Sequence, residues 1–211
     1  MQILVTGGSG FIGRYACERL SADGHALTIL DLVPPAWDAG AARIVRGDVR
    51  DPGAVRAALA GCDAVLHLAA AHHDFGIAHD TYFSVNEGGA SVLCAEMDAA
   101  GIRRACFYSS VAVFGDAPEP HTEDAATAPA GPYGASKLAG EAVFRQWTEQ
   151  GGGRRTLVIR PTVTFGPRNC ANMYSLIRQI HSRMYLPIGA GTNIKSLSYV
   201  ENIVEPTAFL W

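Results

Sequence analysis

Thr6-Gly7-Gly8-Ser9-Gly10-Phe11-Ile12-Gly13 is the stretch that decides the fold. A short apolar run, Gln2 to Thr6, leads into it. A segment of helical character, Phe11 to Ala22, leaves it and is stopped by Gly24. A tight turn needs a residue that tolerates positive φ. A bound pyrophosphate needs backbone N–H groups close by with no side chain in the way. The helix that follows must pack closely on the strand, and its N-terminus favours negative phosphates. Glycine at positions 7, 10 and 13 serves all three needs, and the strand-before, helix-after context is the one that gives a glycine pattern this meaning.

Working outward, Ala26 to Leu30 reads as a second apolar strand with Asp31 at its end, eighteen positions after Gly13. A carboxylate there can accept both hydroxyls of a ribose and repels a 2′-phosphate, so the cofactor expected is NAD rather than NADP. Arg43 to Arg46 reads as a third strand. Asp48 follows it, placed to meet an adenine amino group. Asp51-Pro52 starts a helix that runs to Ala60. Ala64 to Leu68 is a fourth strand, and a polar loop, His72 to Thr81, follows. Then come a long helix (Phe83 to Ala100), a fifth strand (Ala105 to Ser109) and a surface connection over 115–131. Another helix (Pro132 to Gln150) and a sixth strand (Thr156 to Arg160) follow, with further helices at Asn172 to His181 and Glu201 to Leu210. Apolar strands alternating with amphipathic helices predict an α/β fold, a doubly wound parallel sheet with helices on both faces. Ligands of such sheets sit at the carboxyl ends of the strands, where the strand order reverses.

Tyr133 and Lys137 stand at i and i+4 of one predicted helix and share a face. A lysine beside a phenol favours the phenolate, which makes a general acid/base usable near neutral pH. The chain has two lysines against fifteen arginines, and one of the two falls here. Ser109 and Ser110 end the fifth strand, where a hydroxyl can hydrogen-bond the oxygen on which Tyr133 acts.

On these residues the chain resembles the extended short-chain dehydrogenases/reductases, in the NAD-dependent epimerase/dehydratase family of nucleotide-sugar enzymes. The matching stretches are TGGSGFIG (6–13), GDVRD (47–51), HLAA (67–70), SVNEGG around Asn86, SSVAVFG (109–115), YGASK (133–137), RPTVTFGPRN (160–169) and YVENIVE (199–205). They stand in family order. The resemblance implies a Rossmann fold over 1–165 and a C-terminal substrate lobe, incomplete here, over 166–211. It implies that Gly7, Gly10, Phe11 and Ile12 hold the pyrophosphate and that Asp31 binds the adenosine ribose. Asp48 and Val49 would meet the adenine, Leu68, Ala69 and Ala70 would line the cofactor groove, and Pro161 would border the nicotinamide. Ser110, Tyr133 and Lys137 would be catalytic, with Tyr133 as base and Lys137 also holding the nicotinamide ribose. Ser110, Asn86, His72 and Arg168 would face the substrate. The implied reaction moves a proton from a sugar hydroxyl to Tyr133 and hydride from the same carbon to the nicotinamide. A ketose forms, turns over and is reduced on its other face.

Departures from the family pattern narrow this expectation. Val111-Ala112 follow Ser110, where 4,6-dehydratases carry Asp-Glu, which counts against dehydration. Val163 stands where the family often has a sugar-contacting Asn. The chain ends at Trp211, so part of the substrate lobe is expected to come from elsewhere. Two other readings are a ketone/alcohol reductase of the same family using NAD(P) and a non-catalytic dinucleotide sensor.

Composition bounds the rest. With 211 residues, 48% of them hydrophobic, the chain can bury a sizeable core. A net charge of -3 and a pI near 6.1 speak against a nucleic-acid partner. No apolar run reaches the length of a membrane span, and the start does not read as a signal peptide. Five scattered cysteines without a CxxC read as reduced thiols, which points to the cytoplasm. His72, His73, Asp74 and His79 lack metal-ligand spacing, so no metal is expected. The resemblance also implies a homodimer through the helices near 83–100 and 132–150.

Overall fold

The computed structural model describes residues 1–72, 76–116, 121–187, 189–192 and 194–210. Six strands form one parallel sheet: β1 (Gln2–Thr6), β2 (Ala26–Asp31), β3 (Arg43–Arg46), β4 (Ala64–His67), β5 (Arg104–Tyr108) and β6 (Arg155–Ile159). Their order across the sheet is β3-β2-β1-β4-β5-β6. The order therefore reverses between β1 and β4, and the glycine turn lies at the carboxyl end of β1, at that point of reversal.

Alternation within the strands builds two cores. Leu4, Leu30, Val65, Ala105 and Phe107 point to one face. They pack there with α2 (Pro52–Leu59), α4 (Gly89–Ala99) and α5 (Pro132–Glu149). Ile3, Val5, Leu27, Ile29, Leu66 and Cys106 point to the other, against α1 (Phe11–Ala22) and α7 (Val200–Leu210). Ile3, Leu4, Val5, Ile29 and Leu30 are all fully buried. Removing one such side chain from water contributes roughly 1.5–3 kcal/mol. β1 and β2 are therefore firmly anchored in the core, and the cleft opens at their carboxyl ends.

Local chemistry explains the element ends. The Asp51 side chain accepts from Gly53 N and Pro52 takes the first turn of α2. α1 begins at Phe11 without a side-chain cap. The triple glycine 151–153, all at positive φ, stops α5.

Three elements differ from the sequence expectation. The helix expected from Phe83 begins earlier, as α3 (His79–Phe83), and reaches α4 through one wide π-helical turn, Ser84–Gly88. The polar loop expected over His72 to Thr81 is correspondingly shorter. A small parallel pair, β7 (Val163–Phe165) with β8 (Leu197–Tyr199), was not expected; three residues are too few to show a strand period. The last helix, grouped by sequence with the substrate lobe, packs on α1 through Val200 and Val204. Tyr108 on β5 holds it there, bonded to Thr207 Oγ1 at 2.6 Å. α6 (Asn172–His181) lies between β7 and β8 in the chain. Among the described residues no helix is long and apolar enough to cross a membrane.

Candidate active site

One cleft of about 720 Å³ runs across the carboxyl ends of the strands. Its first wall is the glycine turn. Gly7 has φ +71, and a Cβ there would lie 2.6 Å from Ala69 N. A side chain at that position would thus meet the strand-end backbone of Leu68 and Ala69 and would also be conformationally strained. A Cβ on Gly13 would lie 2.4 Å from Gly7 O, so α1 could not pack this closely on the turn. The result is a cradle of backbone at the uncapped start of a twelve-residue helix, lined by Gly7, Gly10, Phe11 and Ile12. Space kept clear of Cβ atoms and first-turn amides left without a side-chain cap suit a pyrophosphate.

Two carboxylates stand at the same end. Asp31 Oδ2 accepts from Ser9 N at 3.0 Å, which ties the strand end to the turn. Asp48 Oδ1 accepts from Arg50 Nε at 3.0 Å and from Arg50 N at 2.9 Å. Those hydrogen bonds, the side-chain one foremost, hold the Asp48 carboxyl below its ordinary value. Val49, Leu68, Ala69 and Ala70 line the cleft between this end and the next. These residues together fit a dinucleotide.

At the other end stand Ser110, Tyr133, Lys137 and Pro161. Ser110 caps a short 3-10 turn (Val111–Val113), its Oγ accepting from Ala112 N at 3.2 Å. That bond uses an acceptor lone pair and leaves the hydroxyl hydrogen to donate into the cleft. α5 starts against the same turn: a Cβ on Gly134 would lie 2.3 Å from Ala112 O. The close approach brings Tyr133 to the strand end that carries Ser110. Ser109 lines the cleft as well but is 3% exposed, whereas Ser110 is half-buried and the more accessible of the two hydroxyls.

Lys137 is 2% exposed, with Nζ 4.6 Å from the centre of the Phe107 ring. Burial brings its pKa down to about 7, against the pull of the Glu141 carboxylate. Behind it His67 is fully buried and stacked on Phe107. Burial, with the lysine's charge, takes the His67 pKa to about 3, so this imidazole stays neutral.

Two expected substrate residues are placed elsewhere. Asn86 is fully buried in the π-helical turn. Its Oδ1 accepts from Ala71 N at 2.9 Å, and its Nδ2 donates to Ala71 O at 3.1 Å and Ser136 Oγ at 2.8 Å. It braces the loop after β4 against α5 and does not line the cleft. Arg168, at φ 70, turns toward α1, 4.0 Å from Glu18 and 6.0 Å from the Tyr15 ring centre. His72 does line the cleft, while His73 and Asp74 lie outside the described residues. Arg50, Thr162, Asn169 and Cys170 also line it, although the sequence reading gave them no role. Arg50 and Asn169 stand inside the stretches GDVRD and RPTVTFGPRN, which was the available signal.

The geometry agrees with comparisons to known proteins. Residues 3–210 match the NAD dependent epimerase/dehydratase family. The chain belongs to that family. It is 40% identical over 208 residues to the N-acetyl-alpha-D-glucosaminyl-diphospho-ditrans,octacis-undecaprenol 4-epimerase of Escherichia coli, covering 96% of this chain and 61% of that protein. It is 37% identical over 145 residues to a UDP-glucose 4-epimerase of Streptomyces lividans, covering 64% of this chain and 44% of that one. The fold superposes on the UDP-glucose 4-epimerase of Thermus thermophilus solved with NAD, at a TM-score of 0.88 and 26% identity, covering 99% and 74% of the two chains. The chain thus spans less than two thirds of the length of these two curated relatives.

Proposed function

We propose that this chain holds NAD along the cleft and supplies the reacting groups for epimerisation of a diphosphate-linked sugar, a nucleotide-sugar or a chemical equivalent. The observation that carries the proposal is the single cleft that joins the glycine cradle and Asp31 to Ser110, Tyr133 and Lys137. The two named relatives are 4-epimerases of sugars on a diphosphate, which supports both the substrate class and the reaction.

In this reading Gly7, Gly10, Phe11 and Ile12 hold the pyrophosphate, and Asp31 accepts from the adenosine ribose. Asp48 and Val49 flank the adenine, and Leu68, Ala69, Ala70 and Pro161 wall the groove. Bound NAD supplies the acceptor and donor of hydride. Tyr133 takes the proton from the sugar hydroxyl and returns it. Lys137 stabilises the phenolate and holds the nicotinamide ribose. Ser110 donates to the reacting oxygen. Val111 and Ala112, which follow Ser110 directly, carry no acid or base with which to expel water, so dehydration is not the proposed outcome. Residues 166–211, apart from α7, supply part of a substrate lobe, and α4 with α5 the face of a homodimer.

The test has two steps. Calorimetry should show NAD binding to the purified chain; no binding overturns the reading at its root. Tyr133→Phe should then keep NAD affinity and remove turnover in the protein that carries this chain. Undiminished turnover in that variant would sink the mechanism.

A further inference from the structure

Lys137 sits where a positive charge is hard to keep. Its side chain is buried, the Phe107 ring covers it, and the next group behind that ring is the neutral His67. His67 gives no negative charge in return, since its Nδ1 is bonded to Thr6 Oγ1 at 2.6 Å. An aromatic face offers a buried ammonium only part of what water did.

One turn further along α5 is a second buried ionisable group that the cleft does not use. Glu141 is 2% exposed and does not line the cleft. Its Oε1 accepts from Arg160 Nε at 2.8 Å and its Oε2 from Arg160 Nη2 at 2.7 Å. Burial alone would push this carboxyl up, but the Arg160 guanidinium more than offsets it and leaves the group below its ordinary value. Glu141 is therefore held ionised inside the protein, four residues from Lys137.

A buried ion pair is weak evidence of stability, because well-packed apolar residues of the same volume often serve as well. We propose that Glu141 is a positioning residue of the Tyr133–Lys137 pair: its carboxylate, clamped by Arg160, is the negative charge that favours the ammonium form of Lys137 beside Tyr133 on α5. The inference rests on the reading of Tyr133 and Lys137 given above. The groups that face Lys137 fit it. β4 presents neutral His67, β5 presents the Phe107 ring, and α5 presents Tyr133 one turn before and Glu141 one turn after. Arg160, just past the end of β6, is engaged by Glu141, and Arg145 one turn on also bears on that carboxylate. Among these, Glu141 is the carboxylate, buried one helical turn from Lys137 on the same helix. The two make no direct ion pair among the described contacts, and Glu141 with Arg145 and Arg160 also lines a second, open pocket, so the action is that of a charge one helical turn away and not of a contact. Charges alternate along the assembly, from Arg160 through Glu141 to Lys137. Arg160 directly precedes Pro161, so the same clamp fixes the end of β6 that borders the cleft.

The test uses the scarcity of lysine. Lys137 and the exposed Lys195 are the two lysines of the chain. This chain labelled with 13C at lysine Cε therefore gives two resonances, assigned by Lys195→Arg. In the absence of NAD and substrate, Lys137 should titrate near 7. Glu141→Gln should lower that midpoint by about one pH unit, a tenfold weaker hold on the proton. Glu141→Asp, which keeps the charge on a shorter arm, should lower it less. A midpoint unmoved in folded Glu141→Gln, or moved equally in both variants, overturns the proposal. If Glu141→Gln does not fold, Glu141→Asp decides alone: a lowered midpoint supports the proposal and an unchanged one overturns it. The titration is read without cofactor, so its failure is distinct from failure of the functional reading, which the Tyr133→Phe variant reports.

Discussion

The two ends of the cleft are made of opposite materials. The end at the glycine turn is made by leaving side chains out. Backbone of Gly7, Gly10 and Ala69 forms its floor, and its carboxylates, Asp31 and Asp48, are partly solvated and already bonded to neighbours. The end at Tyr133 is made by burying charged and polar side chains: Lys137, Glu141 and His67 are each 2% exposed or less. The first end binds by shape and backbone dipoles and adds little electrostatic strain. The second keeps groups in states that water would not favour, which is how side chains acquire acid–base strength but also how a fold loses stability.

Substitutions at the two ends should therefore fail in different ways. The largest effect is expected at Tyr133. Tyr133→Phe should lower turnover by about 100- to 10,000-fold, the usual worth of a placed acid/base, with thermal stability and NAD affinity close to unchanged. A variant that loses NAD affinity as steeply as turnover would show that Tyr133 acts as a wall, and the contrast would collapse.

Next comes Lys137→Met, where activity and stability should move in opposite directions. The Lys137 pKa is about 7 in the folded chain and about 10.4 when unfolded. Well below pH 7 the ammonium is present in both states and the folded state carries the full burial cost. As pH rises from about 7 to about 10.4 the unfolded chain binds the extra proton, so wild-type stability rises through that window. Lys137→Met removes the cost, on the order of a few kcal/mol. Its gain in melting temperature should be greatest at or below pH 7 and should shrink toward pH 10, while turnover is lost. A gain that does not vary with pH would mean that Lys137 is not a strained ammonium.

At the other end Gly7→Ala should damage binding and fold together. A Cβ at φ +71 costs about 1–2 kcal/mol in backbone strain, and the contact with Ala69 N adds to it. Melting temperature should fall and calorimetric NAD affinity with it, with no pH dependence between 6 and 10. Stability kept with affinity lost would show that the turn relaxes without the strand.

How far these ends could be read from sequence follows the same division. The glycine end was legible because its determinants are local: a strand, three glycines three apart, a helix, and an acid at the next strand end. Tyr133 and Lys137 were legible for the same reason, being one helical turn apart. What stayed hidden depends on contacts distant in the chain. Nothing near Asn86 says that its amide is used by Ala71 and Ser136, fifteen and fifty residues away. Nothing near Glu141 names Arg160, nineteen residues on and across a strand. Arg168 sits in a matching stretch, but its φ of 70 aims it at α1 rather than at the cleft.

The smallest effect is expected at Asp48, and it is the finest test of the contrast. Its carboxylate already accepts from Arg50 on both oxygens. Both side chains are partly exposed, 28% for Asp48 and 46% for Arg50. A pair of that kind contributes less than about 1 kcal/mol, all the more so in salt. What it adds is present above the ordinary Asp range and fades as pH falls through the lowered folded value. Asp48→Asn keeps an oxygen that can accept from an adenine amino group and removes only the charge. NAD affinity should therefore change by less than about threefold, given the small worth of exposed charge pairs, and melting temperature by a degree or so. A fall in affinity beyond tenfold would show that this end, too, depends on a side-chain charge. The glycine cradle would then be a place where the cofactor fits but not the main source of its affinity.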